Sequence, residues 1–299
     1  MLLSLSAFDI TNCDFKGTPI NKPSKFYSVI STPQDAQPHN PIIFIRIKRF
    51  TTMKSIRLGL ATIAASLLLL SFIKLKPINI YLIGDSTMSN KKPEAFPETG
   101  WGMAFGKFFD KSVTIDNRAQ NGRSTKSFIA ENRWQPVVDQ LKKGDYVFIE
   151  FGHNDEKTDK PLVGTTLEEF RTNLIKFVLE TRAKKASPVL LTPIARRSFK
   201  KGELKETHIG YPEVIRSLAD SLNVPMIDML AKSRNLVISM GEEQSKQLYN
   251  YVDSGHVNYP QGKKDDTHFS QAGAAKMAGL AVEGITELIP GLAKRIVKQ

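Results

Sequence analysis

The chain has 299 residues, 41% of them hydrophobic and 24% charged, with a single cysteine. This balance excludes a disordered tail, a collagen-like fibre and a disulfide-stapled miniprotein. Its 42 Lys and Arg against 30 Asp and Glu give a formal net charge of +12, but residues 1–77 hold ten of the basic and three of the acidic side chains. Residues 78–299 keep 32 basic and 27 acidic residues, a net +5, so nucleic acid is not expected as a partner.

Cys13 lies in the leading segment, so the rest of the chain has no internal disulfide, no Cys-ligated metal and no thiol nucleophile. Residues 58–73, LGLATIAASLLLLSFI, form an uncharged apolar run behind Met53, Lys54 and Arg57, in the order of the charged and apolar regions of a secretory signal. The run is short for a spanning helix and has no polar face with which to lie on a domain. Residues 53–77 are therefore expected to be a signal peptide or an N-terminal membrane anchor, and the protein to be secreted or periplasmic. Residues 1–52 show no sustained period. Met53 is expected as the initiator, with residues 1–52 the product of an over-long gene start or a disordered leader.

From Ile78 onward, short β-branched runs alternate with helical patterns, the signature of βαβ units and of a parallel sheet covered on both faces. Strands are predicted at 78–83, 113–116, 145–151, 188–192 and 224–228. The clearest helix is 166–184, where Leu167, Phe170, Leu174, Phe177 and Val178 form an apolar stripe. Further helices fit 133–142, 210–222, 229–239 and 271–287. No linker divides residues 78–299, which read as one domain.

Ligands of such sheets sit beyond the carboxyl ends of the strands, and four of those places carry reactive residue types. Gly84-Asp85-Ser86-Thr87 follows the first strand and puts a hydroxyl at the mouth of the sheet. Asn121-Gly122-Arg123-Ser124 follows the second, where a glycine lets a backbone N–H approach a ligand. Gly152-His153-Asn154-Asp155 follows the third, with an amide able to donate to developing negative charge. Asp265-Asp266-Thr267-His268-Phe269-Ser270 precedes the last helix, with Ser270 as its N-cap, and the Asp265–His268 spacing lets a carboxylate hold an imidazole in one tautomer. Taken singly, each also reads as an ordinary turn or cap.

Their order and placement resemble the SGNH or GDSL hydrolase superfamily, and YLIGDSTM, NGRSTKSF, EFGHND and DDTHFSQAGA look most like its rhamnogalacturonan acetylesterase branch. Thr87 stands where Gly-Asp-Ser-Leu would have leucine, as is usual for that branch. The resemblance implies an α/β fold, a three-layer α/β/α sandwich with a five-stranded parallel, flavodoxin-like sheet. It implies a serine esterase with Ser86, His268 and Asp265 as catalytic residues and an oxyanion hole from the Ser86 and Gly122 N–H groups and the Asn154 amide. The substrate would be an acetylated plant cell-wall polysaccharide, rhamnogalacturonan above all, or an oligosaccharide derived from it. No metal and no organic cofactor is expected.

Arg123 and the basic segment Arg196, Arg197, Lys200, Lys201 and Lys205 are candidates for contact with uronate carboxylates. Trp134, Tyr249, Tyr251 and Tyr259 offer faces for sugar rings. Of the two neighbouring carboxylates, Asp265 is expected to hold the imidazole and Asp266 to face solvent or help cap the last helix. The alternatives are a general short-chain carboxylic-ester hydrolase or lysophospholipase, and a catalytically silent carbohydrate-binding protein. Nucleotide binding is disfavoured by the lack of both G-x-x-x-x-G-K-[ST] and G-x-G-x-x-G.

Overall fold

Val, Ile and Leu runs that bury both edges of their alternation belong in a sheet covered on both faces. In a computed structural model that describes residues 75–297, five such runs pair in parallel. The leader and export readings placed on residues 1–74 lie outside the described residues. No helix among those described is long and apolar enough to cross a membrane.

Strands β1 (Ile78–Gly84) and β2 (Val113–Asn117) run one residue past the predicted ends, β3 (Tyr146–Glu150) is one residue shorter at each end, and β4 (Ser187–Leu191) is shifted back by one. A two-stranded antiparallel hairpin, β5 (Phe199–Lys200) and β6 (Glu203–Leu204), comes next, and β7 (Met226–Ile227) closes the main sheet. The main sheet runs β2-β1-β3-β4-β7, the flavodoxin-like order, whose direction reverses beside β1 and opens a crevice at its carboxyl end. The expected α/β architecture is therefore present.

The helices in chain order are α1 (Trp101–Phe105), α2 (Thr125–Ala130), α3 (Gln135–Gln140), α4 (Leu167–Ala183), α5 (Tyr211–Leu222), α6 (Met229–Gln244), α7 (Gln271–Leu288) and α8 (Pro290–Ala293). Strand alternation divides the core in two. Ile80, Leu82, Phe148, Val189 and Leu191 pack with Trp101, Phe105 and the α7 residues Ala274, Met277, Ala278 and Ala281. Tyr81, Ile83, Val147, Ile149 and Leu190 pack on the other face with Phe128, Phe170, Leu174, Phe177 and Ile215. Leu167, read from sequence as part of the α4 stripe, is the first helical residue and stays 43% exposed.

Caps fix where these helices begin. Thr166 and Glu169 form a reciprocal capping box at α4, and the Ser270 hydroxyl accepts from Gly273 N–H at 3.0 Å at the start of α7. Gly273 also lets α7 approach the chain before it, since a Cβ there would fall 1.7 Å from the Leu248 carbonyl oxygen. Helix propensity alone favours Gly→Ala by about 1 kcal/mol, whereas overpacking costs about 1–3 kcal/mol. Gly273→Ala is therefore expected to destabilise the protein in urea unfolding, and a raised midpoint would contradict this packing.

Candidate active site

The sheet order sets the carboxyl ends of β1 and β3 side by side, with Gly84 paired to Glu150. Ser86 leaves the end of β1, and the turn before α7 meets it from the far end of the sequence. Ser86 Oγ lies 2.9 Å from His268 Nε2, and His268 Nδ1 lies 2.9 Å from Asp265 Oδ2. Asp265 Oδ1 accepts the backbone N–H groups of Thr267 and His268 at 2.9 and 3.0 Å. Burial pushes the Asp265 carboxyl up, but these bonds and the His268 ring outweigh it and hold the group well below the usual carboxylate range. An ionised Asp265 can only accept. The imidazole proton therefore sits on Nδ1, leaving Nε2 to accept from the Ser86 hydroxyl.

Asp266 points elsewhere. Its Oδ1 accepts from Arg197 Nη1 and Tyr251 Oη, both at 2.7 Å, and it is not the cap of α7.

Gly122 has φ +76, a backbone conformation open to glycine, and nothing lies within 4 Å of where its Cβ would be. Neither the Ser86 nor the Gly122 N–H donates to an acceptor among the described residues. Asn154 Nδ2 donates to Arg123 O at 3.1 Å, and Asn154 Oδ1 accepts from Lys157 Nζ at 2.7 Å. The ammonium fixes which way the amide faces. Asp155 ties the two loops together by accepting from the Thr125 hydroxyl at 2.6 Å and from its N–H at 3.0 Å. Its burial pushes the carboxyl up to about 7.

Beneath the Ser86 turn, Thr87 Oγ1 lies 2.9 Å from Asp85 Oδ1 and 2.7 Å from Glu150 Oε1, and Glu150 Oε2 accepts from Trp101 Nε1 at 2.6 Å. A hydroxyl has one proton and cannot donate to both carboxylates. Burial and the neighbouring Asp85 charge push Glu150 up to about 8, so Glu150 holds the second proton and donates to Thr87, which donates to Asp85. A leucine at position 87 could not carry that relay.

Asp85, Glu150 and His153 bring one donor atom each within 4.8 Å of one another, as do Glu98, Asp265 and His268. In the first group both Glu150 oxygens are already hydrogen-bonded, leaving Asp85 Oδ2 and the His153 ring, fewer than the three or four protein ligands of a zinc centre. In the second, the Asp265 and His268 atoms are engaged with each other and with Ser86.

For Arg197 the structure corrects the basic-segment reading. Arg197 is buried, its guanidinium held by Asp266, Tyr251 and the Glu242 carbonyl. Arg196 pairs with Glu156, and Lys205 with Glu203. Lys200 and Lys201 belong to the β5–β6 hairpin. Arg123 pairs with Glu131 at 3.0 Å and donates to Asn121 O. The aromatic candidates are likewise engaged in structure. Trp134 and Tyr249 are buried and donate to Glu180 and Ala195 O, while Tyr259 Oη donates to Ala95 O at 2.6 Å. The partners of Arg196, Arg197, Trp134, Tyr249 and Tyr259 are remote in sequence, which is why composition alone left these groups looking free. Lys91, Glu98 and Lys157 also border the site, and no motif singled them out.

The proton on Glu150 has a thermodynamic consequence. Its folded-state value lies above the ordinary carboxyl value of 4.5, so between those two pH values the native state holds a proton that the unfolded chain releases. Stability from this group is complete below about pH 4.5 and is lost as pH rises towards 8, at up to about 1.4 kcal/mol per pH unit. A glutamine amide can donate to Thr87 and accept from Trp101 as the protonated acid does. Glu150→Gln is expected to remove this part of the Tm decline between pH 5 and 8; superimposable Tm–pH slopes would contradict a protonated Glu150.

A model of the GDSL-like lipase/acylhydrolase family matches residues 82–276. The chain is 42% identical over 215 residues to the rhamnogalacturonan acetylesterase RhgT of Bacillus subtilis, covering 71% of this chain and 91% of that one. It is 33% identical over 222 residues to the probable rhamnogalacturonan acetylesterase YesY of the same organism, covering 74% and 98%. Among solved structures, protein YxiM of Bacillus subtilis matches with a TM-score of 0.61 at 26% identity, over 73% of this chain and 58% of that one. With the parallel sheet and the four sequence blocks in their expected order, these likenesses make the chain an ester hydrolase that belongs to the GDSL-like lipase/acylhydrolase family, in its rhamnogalacturonan acetylesterase-like branch.

Proposed function

We propose that the protein removes acetyl groups from a pectic polysaccharide, rhamnogalacturonan, through an acetyl-serine intermediate. The observation that carries this reading is the hydrogen-bonded chain Ser86–His268–Asp265 beside two unengaged backbone N–H groups. Ser86 Oγ attacks the acetyl carbonyl as its proton passes to His268 Nε2, and Asp265 stabilises the imidazolium. The carbonyl oxygen takes up negative charge and is met by the Ser86 and Gly122 N–H groups and the Asn154 amide; one such donor is typically worth about 100- to 1000-fold in kcat. The imidazolium returns its proton to the departing sugar oxygen. Water, deprotonated by His268, then attacks acetyl-Ser86, and acetate leaves as Oγ regains its proton.

The choice of polymer rests on the names of the relatives and on chemistry close to Asp265. A groove of about 380 Å³ is lined by Tyr251, Asp253, Ser254, Gln261, Lys263 and Lys264, and Lys263 Nζ is 3.6 Å from Asp265 Oδ2. Polar groups with two ammoniums suit a uronate-bearing chain better than a fatty acyl chain. Export by residues 53–77 accords with a polymer substrate found outside the cell.

Ser86→Ala is expected to lower kcat on a neutral acetyl ester by about 10⁴-fold or more, and Asp265→Asn by up to about 10⁴-fold, while Asp266→Asn loses far less. Wild-type rates in folded Ser86→Ala would remove the serine mechanism. On substrates, acetate release is expected to be fastest from acetylated rhamnogalacturonan, ahead of acetylated xylan and longer acyl esters. Lys264→Glu should raise KM for the pectic polymer, most at low salt, and spare a neutral acetyl ester. Preference for long acyl esters would favour the lysophospholipase reading instead.

A further inference from the structure

Lys91 follows the nucleophile by five residues, and its side chain is fully buried. Its ammonium donates to Ser86 O at 2.6 Å, to Asn121 Oδ1 at 2.8 Å and to Glu98 Oε1 at 2.8 Å, so its three protons have three acceptors. Each acceptor belongs to a different part of the site. Ser86 O is the carbonyl of the nucleophile itself. Asn121 precedes Gly122, and its Oδ1 also accepts from the Ser89 hydroxyl at 2.5 Å. Glu98 is held beside the imidazole by the antiparallel bridge between Thr99 and Phe269, in which Thr99 N donates to Phe269 O at 2.9 Å. One carboxylate oxygen of Glu98 lies within 4.8 Å of donor atoms of both Asp265 and His268.

Burying an ammonium is costly without a paired charge and full hydrogen bonding; Glu98 supplies the charge, and Glu98, Ser86 O and Asn121 together accept the three protons. We propose that Lys91 and Glu98 form a charge-balanced positioning pair, in which Lys91 ties the nucleophile turn to the Gly122 loop and Glu98 cancels its charge where it would otherwise oppose an imidazolium at His268. The inference rests on the serine-esterase reading above and adds two residues that touch no reacting atom. Burial pushes the Lys91 ammonium down and Glu98 pulls it back up, as such a pair requires.

The other groups facing His268 are Ser86, Asp265 on its own turn, Lys263 beyond Asp265, and Asp85 and His153 at the ends of β1 and β3. Lys91 and Glu98 can be altered one at a time without removing any atom of the Ser86–His268–Asp265 chain, and this gives a test with opposite signs. Lys91→Met leaves the Glu98 carboxylate unbalanced, which favours the imidazolium and moves the acid limb of kcat/KM to higher pH. Glu98→Gln leaves the ammonium, still favoured by Asp85 and Asp265, without its paired charge and moves that limb to lower pH. Each shift should reach about half a pH unit or more. The double variant should bring the limb back near wild type while kcat stays about 10- to 100-fold down, because the tether to Ser86 and Asn121 is still missing. KM for the small ester should change little.

The experiment is the pH profile of the three variants on a neutral acetyl ester, with Tm measured for each and Ser86→Ala as the activity control. Opposite shifts that cancel in the double variant support the pair. Shifts of the same sign, or none in folded proteins, overturn it. If Lys91→Met does not fold, Glu98→Gln alone decides, since an unchanged or raised acid limb contradicts the proposal. Retained activity in Ser86→Ala would instead remove the underlying esterase mechanism.

Discussion

One hydrogen bond, from the Ser86 hydroxyl to His268 Nε2 at 2.9 Å, joins residues 182 positions apart. Its geometry depends on two long-range placements. Strand β1 must end where the sheet order reverses, and the turn before α7 must lie across that end. The first follows from parallel pairing of β1 with both β2 and β3, the second from close packing of α7 at Gly273 against Leu248. The apolar core on the α7 face of the sheet holds both to the same scaffold, so stability of that core and alignment of the site are one problem.

Around this bond the charges are arranged in layers. Asp265 is ionised by the bonds it accepts, whereas Glu150, deeper in the core and beside Asp85, keeps its proton. The difference is one of burial and partners: Glu150 is fully buried, beside the Asp85 charge, with only the Thr87 hydroxyl and Trp101 Nε1 as partners, whereas Asp265 receives two backbone N–H groups and an imidazole. Two acids near one serine thus take opposite states, and the Thr87 hydroxyl lies between Asp85 and Glu150. The buried Lys91 adds the cation that the proposed pair with Glu98 would neutralise.

Much of the fold was legible because its strands are uninterrupted apolar runs and its long helices carry a clear stripe. The misses have local causes. Pro225 has no N–H, and the last strand shrinks from the predicted 224–228 to Met226–Ile227. Helix α1 is a five-residue, mostly buried segment without polar spacing, and periodicity cannot detect one so short. Lys201 and Gly202 both take positive φ, the turn chemistry of a hairpin, in a stretch read only for its charge. The residues the reading assigned to the site lay at strand ends and helix starts, where sequence order alone implies convergence. Lys91, Glu98 and Lys157 lay between motifs, and their significance depends on partners that only folding brings near. The same reason explains Arg196 and Arg197: basic residues adjacent in sequence are committed to Glu156 and Asp266, far along the chain.

The proposed covalent acetyl-enzyme at Ser86 can be observed directly. The enzyme is mixed with excess neutral acetyl ester, quenched in acid during turnover, digested and analysed by peptide mass. An acetyl group should appear on the peptide that contains Ser86 and disappear when the ester is exhausted before the quench. Steady turnover with no acetyl at Ser86 in enzyme trapped before deacylation, or with a turnover-dependent acetyl on another residue, would contradict the mechanism.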